Sequence, residues 1–224
     1  MTLFSRAQEP PQRTLRDTLF GDLPVDNWVG DGSVAQAFPW SAFVLARARM
    51  KKGDREAAVR NWREIVEQPG LEPRHYLQVW HFLRQNGVQP DQEIAKQVLG
   101  VVVEVGMARG LDVVAAYPDH SARYINYSGK TIIWDQTDGS MNERIDALLE
   151  ASKRVVAQIG VWTDPRPTPP PADSVRLNFL TPSGLHFGQA SMSVMQHDPI
   201  GAPTFFLAGN LMNALIERVT AGAN

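Results

Sequence analysis

The sequence predicts an α+β fold, in which a helical N-terminal region packs on or beside a two-layer assembly of helices on an antiparallel sheet. Three observations carry that expectation. Apolar residues recur at helical spacing through residues 39–85. The period then falls to two over residues 101–135, where short β-rich runs are separated by turn-forming residues. Beyond them come a long helical pattern, a hairpin pattern and a second long helical pattern. Strands in a run followed by a covering helix, done twice, is the order of a two-layer α+β domain. The chain is accordingly divided into a helical region with an irregular arm, residues 1–92, and an α+β domain, residues 93–224.

Residues 1–38 carry Pro10, Pro11, Gly21, Pro24, Gly30 and Gly32 with little periodicity, yet Leu15, Leu19, Phe20, Leu23 and Trp28 are too apolar for a free tail. They are expected to pack on the body as an extended arm or a short helix. Residues 39–50 read as the first helix, ended by Lys51-Lys52-Gly53, cations in the last turn and then a glycine. Asp54 can cap a second helix bearing Ala58, Trp62, Ile65 and Val66, which Pro69-Gly70 stops. Ala46, Gly53, Asp54, Ala58, Trp62 and Ile65 together resemble the small-residue, glycine and aromatic positions of a tetratricopeptide-type helical hairpin, over about residues 39–69. Pro69 falls one position earlier than in that pattern and no second copy follows, so the resemblance implies a helix pair rather than a stacked array with a peptide groove. A third helix spans residues 73–85, with Tyr76, Val79, Trp80 and Leu83 as its stripe, and a short fourth is expected over residues 92–99.

Val101, Val103 and Val105 alternate with Val102 and Glu104 as a strand does, although the run also fits a continuation of the preceding helix. Residues 111–117, 122–128 and 131–135 then read as an antiparallel meander. Its turns are Pro118-Asp119-His120-Ser121 and Ser128-Gly129-Lys130. Both faces of the middle strands are apolar, so something must cover the sheet on at least one side. Ser140 and Glu143 have capping-box spacing before a helix over residues 141–159. Five prolines within residues 165–171 make an extended connector. Residues 175–180 and 185–190 form a hairpin, and a last helix buries Ala208, Leu211, Met212, Leu215, Ile216 and Val219. This element order is similar to that of profilin-like and roadblock-like domains, a similarity of order alone that implies nothing about function.

Composition narrows the chemistry. The net charge is −2; through residue 92 there are 12 basic and 11 acidic side chains, and beyond it 10 and 13. No basic stripe of the kind that grips phosphates is present, so nucleic acid is not an expected partner. The absence of cysteine excludes disulfides, thiolate nucleophiles and cysteine-ligated metals. Residues 1–16 lack the apolar run of a signal peptide and no stretch reaches a membrane span, so a cytoplasmic protein without a membrane partner is expected.

The catalytic patterns fail in turn. There is no G-x-S-x-G elbow, and Asp119-His120-Ser121 is turn chemistry, since a triad is assembled in space rather than along the chain. His75 and His81 lack metal-ligand spacing, and His186 and His197 belong to no ligand motif. Leu185 and Phe187 are the expected inward positions of their strand, which puts the His186 imidazole on the opposite face. Gly129-Lys130-Thr131 lacks the upstream glycine of a phosphate loop. No cofactor and no metal is expected. One grouping is retained as a ligand-binding candidate: Arg123 and Tyr127 on one side of a strand, with Trp134 on its neighbour, could form a small-molecule or peptide patch. The plainer reading makes the aromatics core beneath the helix over residues 141–159, with Arg123 at the rim. Two functions follow as expectations. The first is a non-catalytic interaction or scaffold module with a protein partner or a homo-oligomer. The second is a small-molecule-sensing or hydrolytic domain using the face around Arg123, Tyr127 and Trp134.

Overall fold

The computed structural model describes residues 14–25 and 36–221; Pro10, Pro11, Trp28, Gly30 and Gly32 lie outside the described residues. A 3-10 helix, Leu15–Leu19, precedes α1 (Trp40–Lys51), α2 (Arg55–Glu67) and α3 (Pro73–Gln85). Gly53 turns the chain between α1 and α2 with φ +79°, a conformation open to glycine at little cost. Asp54 then caps α2, its carboxylate accepting the Ala57 N–H at 3.2 Å. Phe43, Ala46, Ala58, Trp62, Ile65 and Phe82 fill the space between these helices. Burying each large side chain contributes roughly 1.5–3 kcal/mol.

Six antiparallel strands follow: β1 (Gly100–Gly106), β2 (Leu111–Ala116), β3 (Ala122–Ile125), β4 (Thr131–Trp134), β5 (Ser174–Thr181) and β6 (Gly184–Ser191). They lie in the order β4-β3-β2-β1-β5-β6, so the hairpin β5–β6 completes the sheet that the meander begins. A short helix α4 (Gln92–Ala95) leads into β1, α5 (Asn142–Gln158) lies between β4 and β5, and α6 (Met192–Met195) and α7 (Gly201–Ala221) end the chain. Both faces of the sheet are covered. Val101, Val103, Val114, Trp134, Leu177 and Phe179 meet Ile145, Leu148, Leu211 and Leu215 of α5 and α7. On the other face Val102, Val113, Ala115, Tyr117 and Leu180 meet the side chains of α1–α3 and the arm residues Leu19 and Phe20.

Several sequence expectations need correction. The fourth helix stops at Ala95 instead of Leu99, because the Leu99 N–H already joins the sheet, donating to the Leu180 carbonyl at 2.8 Å. The Ser140–Glu143 capping box does not form: α5 begins at Asn142, and the Ser140 N–H is taken at 2.9 Å by the Asp138 carboxylate. Strand β3 ends at Ile125 because the Asn126 side chain accepts the backbone N–H groups of Ser128 and Lys130 and closes the turn. Val219, placed on the buried stripe of the last helix, is 51% exposed. There α7 has run past the strands, and its Arg218 reaches Asp138 in the loop after β4.

The proline connector is bound to the sheet rather than loose. A Cβ on Gly106 would stand 1.9 Å from the Pro171 carbonyl oxygen, so only glycine permits this approach. Beside it sits a buried polar network. Glu104, with no exposure, takes an ion pair from Arg16 of the arm at 2.5 Å and a hydrogen bond from the Asn178 amide at 3.1 Å. Arg176, opposite Glu104 on β5, donates twice to Gln189 and to the Pro167 and Thr168 carbonyls of the connector. Phe20 lies between two guanidinium groups, Arg166 at 4.1 Å and Arg16 at 5.3 Å from its ring centre. Arm and connector are thereby held to one corner of the sheet.

Candidate functional site

Strand pairing decides the fate of the grouping expected from the sequence. Ala122 pairs with Trp134 and Arg123 with Ile133, so Arg123 and Trp134 point to opposite faces. Trp134 is core on the α5–α7 side. Arg123 is buried on the other, where its Nη1 donates to the Ala122 and Trp134 carbonyls at 2.8 and 2.9 Å. Tyr127 lies beyond the strand in the following turn, 55% exposed, with its backbone N–H on the Asp112 carboxylate. The expectation that these three share a face is therefore corrected: alternation was counted through a strand that ends two residues before Tyr127.

A cleft of about 530 Å³ opens elsewhere, between α3, the arm, residues 161–166 and the β5–β6 turn. Leu77, His81 and Arg84 recur at four and three residues and so present one side of α3 to it. Across from them stand Trp162, Leu180 and Leu185, with Asp22 and Arg166 at the arm. Trp162 is fixed by three contacts: its N–H donates to the Leu185 carbonyl at 2.7 Å, its indole Nε1–H donates to the Pro165 carbonyl at 3.1 Å, and its ring meets Phe187 edge-on. Arg166 is neutralised locally, with Nε 2.7 Å from Asp22 and Nη2 3.3 Å from Asp17.

Arg84 differs. Its Nη1 donates to the Pro182 carbonyl at 2.5 Å, and no described carboxylate lies within 4.0 Å of it. Burial lowers its pKa to about 10, with Asp22 opposing, so it remains a cation at neutral pH. Burial likewise lowers His81 to about 4; Asp22 opposes and Arg84 adds to the shift. At neutral pH the cleft thus holds a neutral imidazole one helical turn from an arginine cation. His81 lacks metal-ligand spacing to His75, and the signal in the sequence that joins it to Arg84 is their three-residue helical offset.

The outer side of α7 is the other notable surface. Phe206 is 51% exposed, and Phe205, Met212 and Ile216 are only half-buried. Gly209, at the middle of the helix, has nothing within 4 Å of where a Cβ would stand. Among the described residues no group of three histidines and carboxylates is placed to hold a metal, and no helix is long and apolar enough to cross a membrane. His120 contacts Asp146 at 3.0 Å, while Asp119 and Ser121 bond to each other within the turn. His186 faces away from Leu185 and Phe187, opposite Phe179, but it is the buried position, and Leu185 and Phe187, expected to point inward, are half-buried. No protein-family model matches the chain, and neither a curated protein nor a solved structure does.

Proposed function

We propose that the protein is a non-catalytic interaction module of the cytoplasm that associates with a second copy of itself through the outer side of α7. The observation that carries this reading is the apolar stripe of Phe205, Phe206, Met212 and Ile216 around the open Gly209. Phe206 is exposed, and the half-buried Phe205, Met212 and Ile216, which also pack on the core, add partial apolar surface to the same helix; apolar surface grouped in this way marks an association surface. The stripe is self-complementary. In an antiparallel pair crossing at Gly209, Phe206 meets Met212 of the other copy, and Ala202 meets Ile216, as a two-fold interface requires. Glu217 then lies at the positive N-terminal end of the opposing α7, a favourable placement. The glycine lets the two backbones approach closely.

Analytical ultracentrifugation of the full chain tests the reading. A concentration-dependent dimer is expected, and Phe206→Glu should convert it to monomer without changing the circular dichroism spectrum. A chain monomeric at every concentration, or a dimer indifferent to Phe206→Glu, would overturn it. So would substrate turnover abolished by a point mutation.

A further inference from the structure

The cleft beside α3 carries an inference independent of self-association. We propose that it binds a small organic monocarboxylate, with the carboxylate on Arg84 and a flat apolar body between Trp162, Leu77 and Leu185. Three observations converge. The first is charge. A partly buried guanidinium with one carbonyl partner and no described carboxylate within 4.0 Å has donors left for an anion, and its planar fork matches a carboxylate. Arg84 has Asp22 only beyond ion-pair distance, so its burial is incompletely offset and an anion that reaches it gains more than it would from an exposed arginine.

The second observation sets the number of charges. Arg166 contributes little free positive charge because Asp22 and Asp17 already pair with it. Asp164 also lines the cleft and repels added negative charge, while Asp22, paired with Arg166, partly offsets Arg84 as well. One cation without an ion-pair partner, near such carboxylates, suits a single negative charge better than a phosphate dianion. The neutral ring of His81 adds a hydrogen-bonding group without adding charge.

The third is shape. A volume of about 530 Å³ lies within the range of small-molecule sites, roughly 300–1,000 Å³. The wall opposite Arg84 is supplied by Trp162, whose backbone and indole bonds hold it in place although the side chain is 40% exposed. A rigid aromatic face beside a fixed arginine selects acids with a planar apolar part over simple ions.

Saturation-transfer NMR on the full chain, with phenylacetate and cinnamate as probes and their primary amides as contrasts, tests the site. Both acids should bind saturably, and the amides and inorganic phosphate at least tenfold more weakly. Arg84→Met should abolish binding of the acids. Because Arg84 also holds the Pro182 carbonyl, Trp162→Ala, a change at a half-exposed position, supplies a second variant that should weaken binding about tenfold. Absence of binding by either acid, equal binding of acid and amide, or undiminished binding in Trp162→Ala would overturn the proposal. Phe206→Glu should leave binding unchanged, so failure here and failure of the dimer are separately visible.

Discussion

Arg16 and Glu104, separated by 88 residues, meet at 2.5 Å and join the arm to the centre of the sheet. Glu104 has no exposure, so the pair cannot be treated as a surface salt bridge. Removing one partner of a buried pair leaves the other charge uncompensated. Arg176, at 3.8 Å, and Asn178 compensate part of that loss. Arg16→Met is therefore expected to cost about 2–4 kcal/mol in urea unfolding. Glu104→Gln added to it should recover only part of the loss, because it also takes the counter-charge from buried Arg176.

Gly106→Ala should be among the most damaging small substitutions. The new methyl would meet the Pro171 carbonyl at 1.9 Å, and backbone must move to admit it. A loss of about 2–3 kcal/mol or more is expected, the upper part of the usual range for overpacking. Hydrogen exchange should show the loosening concentrated in residues 165–176 and the end of β1.

Acid should destabilise the fold before its carboxylates titrate. Burial lowers the pKa of His75, of His81 (to about 4) and of His186, so at neutral pH all three are neutral in the native protein and take up protons less readily than in the unfolded chain. In the unfolded chain they titrate near 6.5. Unfolding consequently takes up protons between these values, and stability, complete above about pH 6.5, falls as the pH drops toward 4. Thermal denaturation across this window should show a declining midpoint, with a shallower slope in His81→Gln.

Gly209→Ala separates the two roles of one position. Alanine is favoured over glycine inside a helix by about 1 kcal/mol, and here the methyl enters open space. The isolated chain should gain about that amount in stability. Association through α7 should weaken, because the added methyl holds the two helices apart. Sedimentation and thermal melting of one variant thus move in opposite senses.

The fold was legible wherever a pattern had a local cause. The third helix spans residues 73–85 as read, because a proline opens it and Asn86-Gly87 closes it. The meander and hairpin were legible from alternation and turn residues. Expectations failed where another partner, close by in the chain or distant, displaced the expected one. Ser140 has the capping residue type, but Asp138 takes its N–H; residues 96–99 have helical character, but Leu99 pairs with Leu180. The candidate site was less legible still. Nothing along the chain announces that residues 77–84, 161–166 and 180–185 meet, or that Glu104 finds a counter-charge at Arg16. Such cavities are made by packing between distant segments, whereas Arg123, Tyr127 and Trp134 were grouped by an alternation that their turn interrupts.

The placement of β5 next to β1 sets an order of assembly. As the chain leaves the ribosome, the meander can form while the far side of β1, a run of valines, still lacks its neighbour. That edge stays open until residues 174–181 have been made, some seventy residues later. An open apolar edge is a template for pairing with other chains. The nascent protein is thus most exposed to aggregation during that interval, and truncation anywhere in the proline connector should yield an insoluble product although α1–α3, which cover one side of the sheet, are already present.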